Sequence, residues 1–157
     1  MSLSSVRKGR AMKCKTSRFG ELDIASDRII LFPDGIIGFE DKRHWVLLSE
    51  GEDDSVGWLQ SLNDGALAFL VVTPHRFVED YSLKVHRSQL MTLPWSPEDR
   101  SLTLAIVSDH EGRLTANLKA PLLVNVDRCL GRQVLVADEQ PVQCVLTQKP
   151  APLRKSA

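Results

Sequence analysis

The side chains able to move protons or hold metals are few and far apart in this chain. Its four histidines are His44, His75, His86 and His110. No two stand in the H-x-x-x-H spacing that aims both imidazoles at a zinc ion from one helical face. Glu40 and His44 are four residues apart, which makes an acid–base pair only on a helix. Gly35, Gly38 and Trp45 around them favour loop and strand, so the two read as solvated. His110 falls in a turn and His86 stands beside Arg87, and both read as surface. The cysteines are Cys14, Cys129 and Cys144, an odd number with no paired spacing. They suit free thiols in a reducing compartment, with Cys129 and Cys144 as small apolar filler. Phosphate chemistry has no cradle, since neither G-x-G-x-x-G nor G-x-x-x-x-G-K occurs. A G-x-S-x-G nucleophile elbow is missing as well. The residues point away from an enzyme: no catalytic set, no metal, no cofactor.

Polar character does concentrate between Leu114 and Asn125. Leu114, Ala116 and Leu118 alternate with Thr115, Asn117 and Lys119, the period of a strand with one apolar and one polar face. Pro121 lacks a backbone donor and keeps Ala120 out of the helical region, so the chain must kink or leave a sheet edge there. Leu122-Leu123-Val124 then resumes, closed by Asn125. Two readings stay open. The amides satisfy a bent backbone, as most buried polar side chains do, or they frame a binding site. On the second reading Lys119 is an exposed contact on the polar face.

These residues need a scaffold, and the chain supplies one domain of strands. The sequence has 157 residues, enough for a single core without staples. Lys+Arg and Asp+Glu are 20 each. That balance argues against bulk polyanion binding, so no direct nucleic-acid partner is expected. No apolar run approaches a membrane span and no signal-peptide core opens the chain, so a cytoplasmic protein without a membrane partner is expected. Residues 1–15 carry Arg7, Lys8, Arg10, Lys13 and Lys15 without an acid and read as a disordered basic arm. The domain is expected over 16–148, with a disordered tail at 149–157.

Within it, Ile29–Phe32, Trp45–Leu48, Trp58–Leu62, Leu67–Val72, Leu102–Val107, the stretch from Leu114, Val134–Ala137 and Val142–Leu146 read as strands, with a further short one at Leu83–Val85. Pro33-Asp34-Gly35, Asn63-Asp64-Gly65 and Asp109-His110-Glu111-Gly112 are turns for stated chemical reasons: proline presets φ, Asn and Asp bond back, and glycine accepts positive φ. His86–Leu93 is a weak helix signal. Ser96-Pro97-Glu98-Asp99 predicts a further turn or two, with serine as cap. The expected fold is all-β and mainly antiparallel, a small barrel or barrel-like folded sheet of about nine or ten short strands with one or two short helices. Several strands are apolar on both faces, yet helices to cover them are scarce. Either loops fold over the barrel or part of the outer surface stays apolar, and an exposed apolar patch, which normally marks a protein interface, is expected.

Aromatics are 6% of the chain, too sparse for a stacking platform on single-stranded nucleic acid. Most sit in apolar runs. Phe39 follows a turn and precedes Glu40, so it is either displayed or plugs a barrel end. The G-x-x-G at Gly35–Gly38 has the spacing of the KH backbone clamp, but its middle residues are isoleucines and no flanking helices are evident.

Five pieces, in order, resemble the flagellar assembly factor FliW family. Thr16-Ser17-Arg18-Phe19-Gly20 is similar to its opening strand. Phe32 to Glu40 resembles its G-(I/L)-P-G-F-E segment, Trp58 to Leu62 its L-Q-S strand, and Leu67 to Pro74 its apolar strand ending in proline. Asn117-Leu118-Lys119-Ala120-Pro121 through Asn125, with Gly131-Arg132-Gln133-Val134, resembles its closing motif. Ile37 replaces a usual proline, so the loop is expected to be less rigid. Pro141 stands near a usual tyrosine, which suggests an edge for the last strand.

The resemblance implies a partner-switching protein rather than an enzyme, one that binds flagellin and the RNA-binding translational regulator CsrA, relieving repression of flagellin translation. A monomer or weak homo-oligomer is expected. The matched motif positions Phe39, Glu40, Gln60, Ser61, Asn117, Lys119 and Asn125 are the expected partner-binding residues. The competing classes are an RNA-binding β-barrel that uses the basic arm and a small-ligand-binding barrel.

Overall fold

The structure, a computed structural model, describes residues 11–50, 53–91 and 93–146. Eleven strands carry it. β1 (Ala11–Thr16) and β2 (Gly20–Ala25) form a hairpin of their own. The others are β3 (Ile30–Leu31), β4 (His44–Glu50), β5 (Asp53–Ser61), β6 (Ala68–Val72), β7 (Ser101–His110), β8 (Arg113–Ala116), β9 (Leu122–Asn125), β10 (Leu130–Gln133) and β11 (Cys144–Val145). They run in the order β11-β8-β7-β6-β5-β4-β3-β10-β9, and an extra β7–β9 pairing closes seven of them into a barrel. Every pairing is antiparallel except β3 with β10. The all-β barrel expected from the turn spacing is what forms.

β7 is long because its two halves have different partners. Ser101–Leu104 pairs with β9, and Val107–His110 with β8. Between the pairs Leu104–Leu122 and Val107–Ala116, β7 has residues 105 and 106 while the other side has residues 117–121. So β8 and β9 are one strand with a loop thrown out at the proline, and Asn117 N still donates to Ile106 O at 3.0 Å. The β7–β8 turn, Glu111-Gly112, has φ of 55° and 83°. Two positive values are the twist that suits a two-residue hairpin, and Asp109 Oδ1 accepts from Gly112 N.

One set of alternating residues fills the lumen: Ile30, Phe32, Ile36, Trp45, Leu59, Val71, Leu104, Leu122 and Val124. Trp45 stacks on Phe69 with centroids 5.5 Å apart. A Cβ on Gly131 would lie 2.4 Å from Phe32 Cζ, so that ring requires glycine on β10. The other set points outward and is covered by ordinary chain. Cys14 and Ile24 of the β1–β2 hairpin pack on Val46 and Leu62. Phe77, Val78 and Tyr81 pack with Val72, Ala105, Val107 and Leu118. Leu83, Val85 and Leu93 pack on Leu123 and Val134. Strands apolar on both faces thus find partners without helices. Large apolar side chains left exposed include Met91, Ile37, Val142, Trp95 and Leu135.

Several expectations need correction. Residues 11–15 are not part of a disordered arm: Met12–Ile24 and Cys14–Leu22 pairing puts them in β1 with Cys14 buried. Residues 1–10 and the tail from 149 lie outside the described residues. Among the described residues only Arg87–Leu90 is α-helical (α1), a single turn, beside 3-10 turns at Ser26–Arg28 and Pro74–Arg76. Ser96–Asp99 is a turn rather than a capped helix, because Asp99 N donates to Ser96 O while the Asp99 carboxylate accepts from Ser96 N. Leu83–Val85 joins no strand ladder. The strand expected at Val134–Ala137 is displaced to β10. Val134 N and Val136 N instead donate to Pro121 O and Lys119 O, across the thrown-out loop. The Leu114/Thr115 alternation is reversed: Leu114 is exposed and Thr115 buried. The two-residue β11 ends the strand order, the edge position that Pro141 suggested.

Candidate functional site

Gln60 and Ser61 close β5 and are fully buried. Gln60 Nε2 faces the carbonyls of Ser61, Gly65 and Leu67 at 2.9, 3.2 and 3.1 Å. Ser61 Oγ accepts from Asn63 N and Asp64 N. Gln60 Nε2 and Ser61 Oγ shape the β5–β6 turn, while the buried Gln60 Oε1 has no hydrogen-bond partner among the described residues. Asn63, which sequence reasoning treated only as a turn residue, ties this hairpin to the start of β4 by accepting from Arg43 N and His44 N.

Asn125 sits at the far end of β9 and is also fully buried. Its Nδ2 donates to Pro94 O at 3.1 Å and Asp99 Oδ2 at 2.9 Å, and its Oδ1 accepts from Arg128 N. Arg128 completes the clasp through Nε to Asp99 and Nη2 to Ser96 Oγ. The Asn125 amide first, and the Arg128 guanidinium second, hold the Asp99 carboxyl below its ordinary value.

The thrown-out loop is stiffened from within. Asn117 Oδ1 accepts from Lys119 N and Ala120 N, an Asx turn that occupies the bent backbone. Lys119 is not the exposed contact expected of it. Its Nζ donates to the carbonyls of Val136 and Asp138, each at 2.9 Å, and the side chain is half-buried. Tyr81 Oη donates to Leu118 O at 2.8 Å. Burial, then the charge of Asp138, push the Tyr81 phenol up to about 12, so it stays a donor at neutral pH. Burial likewise pushes the Cys129 thiol up, which keeps it a thiol rather than a nucleophilic thiolate.

Phe39 and Glu40 belong to the loop before β4. Gly35 has φ +71°, and a Cβ there would lie 2.5 Å from Glu40 Cα, so only glycine lets the loop fold on itself. Ile36 and Phe39 form a bridge, and Glu40 Oε2 accepts from Gly38 N. Ile36 turns into the lumen at 1% exposure while Ile37 turns out at 63%. Phe39 is half-buried, edge-on to Phe69 at 5.3 Å. It plugs and lines rather than standing free.

Gln133, quoted only as part of a motif, joins loop and kink. Its Oε1 accepts from Ile37 N at 2.8 Å and its Nε2 donates to Ala120 O at 3.0 Å. Its place on β10 gave no sign of that bridging role. Between the parts it joins lies a cleft of about 280 Å³. Phe39, Phe69 and Ile106 line it with Asn117, Thr115, Gln133 and Gln143, Ile37 and Val142 reach it from the surface, and among the described residues no charged side chain lines it. Of the seven expected residues, the cleft gathers Phe39 and Asn117. Gln60, Ser61, Lys119 and Asn125 are held by internal hydrogen bonds, and Glu40 braces the loop. No group of three or more His, Cys, Asp or Glu among the described residues could hold a metal ion. None of the helices described is long and apolar enough to cross a membrane.

The sequence model of the FliW protein family matches residues 13–151. The chain is 34% identical over 129 residues to the flagellar assembly factor FliW of Bdellovibrio bacteriovorus, covering 81% of this chain and 74% of that one. It is 37% identical over 134 residues to the FliW of Alkaliphilus metalliredigens, covering 82% and 81%. A crystal structure of the flagellar assembly factor FliW superposes with a TM-score of 0.79 at 29% identity, over 88% of this chain and 99% of that chain.

Proposed function

The chain belongs to the FliW family, and on that premise we propose that it is a cytoplasmic adaptor that binds two proteins in turn, unassembled flagellin and the RNA-binding translational regulator CsrA. Flagellin bound to it leaves CsrA free to repress flagellin translation. Once flagellin is exported, the adaptor takes up CsrA and the repression is lifted. The work is binding, without chemistry on a substrate. Linkage fixes its limits: flagellin lowers the apparent affinity for CsrA by no more than its own differential affinity for the two forms of the adaptor.

The observation that carries this reading is the cleft beside Ile37. Most of the motif's polar side chains, Ser61, Lys119 and Asn125 among them, are taken up inside the fold. What they leave at the surface is a neutral recess with apolar side chains at its mouth, the character of a protein-docking surface rather than a phosphate or metal site. Calorimetric titration with purified flagellin and purified CsrA tests it. Heat from each partner, with CsrA binding weakened by saturating flagellin, is the expected result. Silence from both partners contradicts it.

A further inference from the structure

The chemistry of the cleft selects between the two partners. Phe39, Phe69 and Ile106 form its apolar wall, and Ile37 and Val142 stand at its mouth at 63% and 58% exposure. Among the described residues, none of its lining side chains is charged. An RNA-binding protein must present a basic face to meet phosphates, and a surface complementary to that face needs acidic side chains. The cleft offers none. A filament subunit before assembly is in the opposite condition. The surface that later packs against its neighbours is still uncovered, and interfaces of permanent assemblies are the more apolar ones. At about 280 Å³ the recess lies at the lower end of the range for ligand pockets and has room for one or two side chains of a protein surface. Gln133 is taken up by Ile37 N and Ala120 O, and Asn117 Oδ1 by Lys119 N and Ala120 N, which leaves the Asn117 Nδ2 group and the Gln143 amide at the cleft as neutral groups able to meet a peptide backbone.

Building on the proposed function, we infer that this cleft holds one or two apolar side chains of unassembled flagellin, and that CsrA docks on another part of the chain. The two partners then have separable contacts on one barrel.

The test uses the full chain and three variants, titrated calorimetrically against flagellin monomer and against CsrA. Ile37→Asp and Val142→Asp each place a carboxylate at the mouth, and Ile37→Leu keeps the surface apolar. Each aspartate is expected to raise the flagellin Kd about tenfold or more. CsrA affinity stays within about twofold, and Ile37→Leu stays near wild type with both partners. Thermal midpoints report whether each variant is folded, and Ile37→Ser replaces an aspartate variant that loses its cooperative melt. Unchanged flagellin affinity, equal weakening of both partners, or loss of CsrA alone overturns the inference. Self-association of the wild-type chain that Val142→Asp abolishes also overturns it, making a second copy the occupant. Wild-type chain that binds neither partner sinks the proposed function itself, a result distinct from any pattern among the variants.

Discussion

The two asparagines that flank the proline in the closing motif do opposite kinds of work. Asn125 lies in a clasp where every polar atom has a partner, with Pro94 O, Asp99 and Arg128 N all within 3.1 Å. Nothing there is left to offer another molecule. Asn117 turns its oxygen to Lys119 N and Ala120 N and yet lines a recess open to the surface. Eight residues apart, one amide locks the barrel and the other shapes an opening in it. Residue type alone does not separate the two. What separates them is whether the surrounding chain closes over the side chain.

The comparison breaks most easily at the clasp. Asn125→Ala removes three hydrogen bonds and leaves Pro94 O and the Asp99 carboxylate short of a buried donor. It is expected to cost about 2–4 kcal/mol in urea unfolding, with flagellin affinity per folded molecule unchanged. A cost below about 0.5 kcal/mol would mean that the clasp holds nothing. On the cleft side, Gly35→Ala forces a Cβ into Glu40 at positive φ. It is expected to cost about 2–3 kcal/mol and, unlike the first variant, to weaken flagellin binding because the loop carrying Ile37 must shift.

Acid sharpens the contrast. The Asp99 carboxyl is held below its ordinary 3.8, first by Asn125 and then by Arg128. A depressed carboxylate contributes stability that is present above its unfolded value and lost as pH falls through the folded one. The stability gap between wild type and Asn125→Ala should therefore be widest near neutral pH and narrow below about pH 3.8. A gap that does not change with pH would show that the carboxylate is not what Asn125 holds.

Lys119→Met removes an ammonium that joins the kink to Val136 O and Asp138 O. About 1–2 kcal/mol is expected, with both partner affinities unchanged. A loss of affinity with no loss of stability would return Lys119 to the surface role its alternation suggested. Val142→Asp, at 58% exposure, should shift stability by no more than about 0.5 kcal/mol.

The barrel was legible where its signals are local. The Pro33-Asp34-Gly35, Asn63-Asp64-Gly65 and Glu111-Gly112 turns declare themselves by residue chemistry, and the strands between them follow. Its closure was not legible, because the β7–β9 pairing joins segments whose register no local pattern records. The same blindness misplaced Lys119. A period of two says which way a side chain leaves a strand, but the strand ends at Ala116, and residues 136–138 come back to meet the lysine. Thr115 is buried and Leu114 exposed for a related reason. β11 pairs beside Thr115, and the last strand could be expected without its register. Gln133 stayed hidden because one of its two partners, Ile37 N, lies 96 residues away and the other, Ala120 O, 13 residues away across the loop thrown out at the proline.

Amide hydrogen exchange on the full chain, with and without saturating flagellin, tests the division between clasp and cleft most directly. Slowed exchange is predicted at residues 36–39 and 142–143, around the cleft, with no change at residues 125–128. Slowing confined to the clasp, or none anywhere while flagellin is bound, would contradict it.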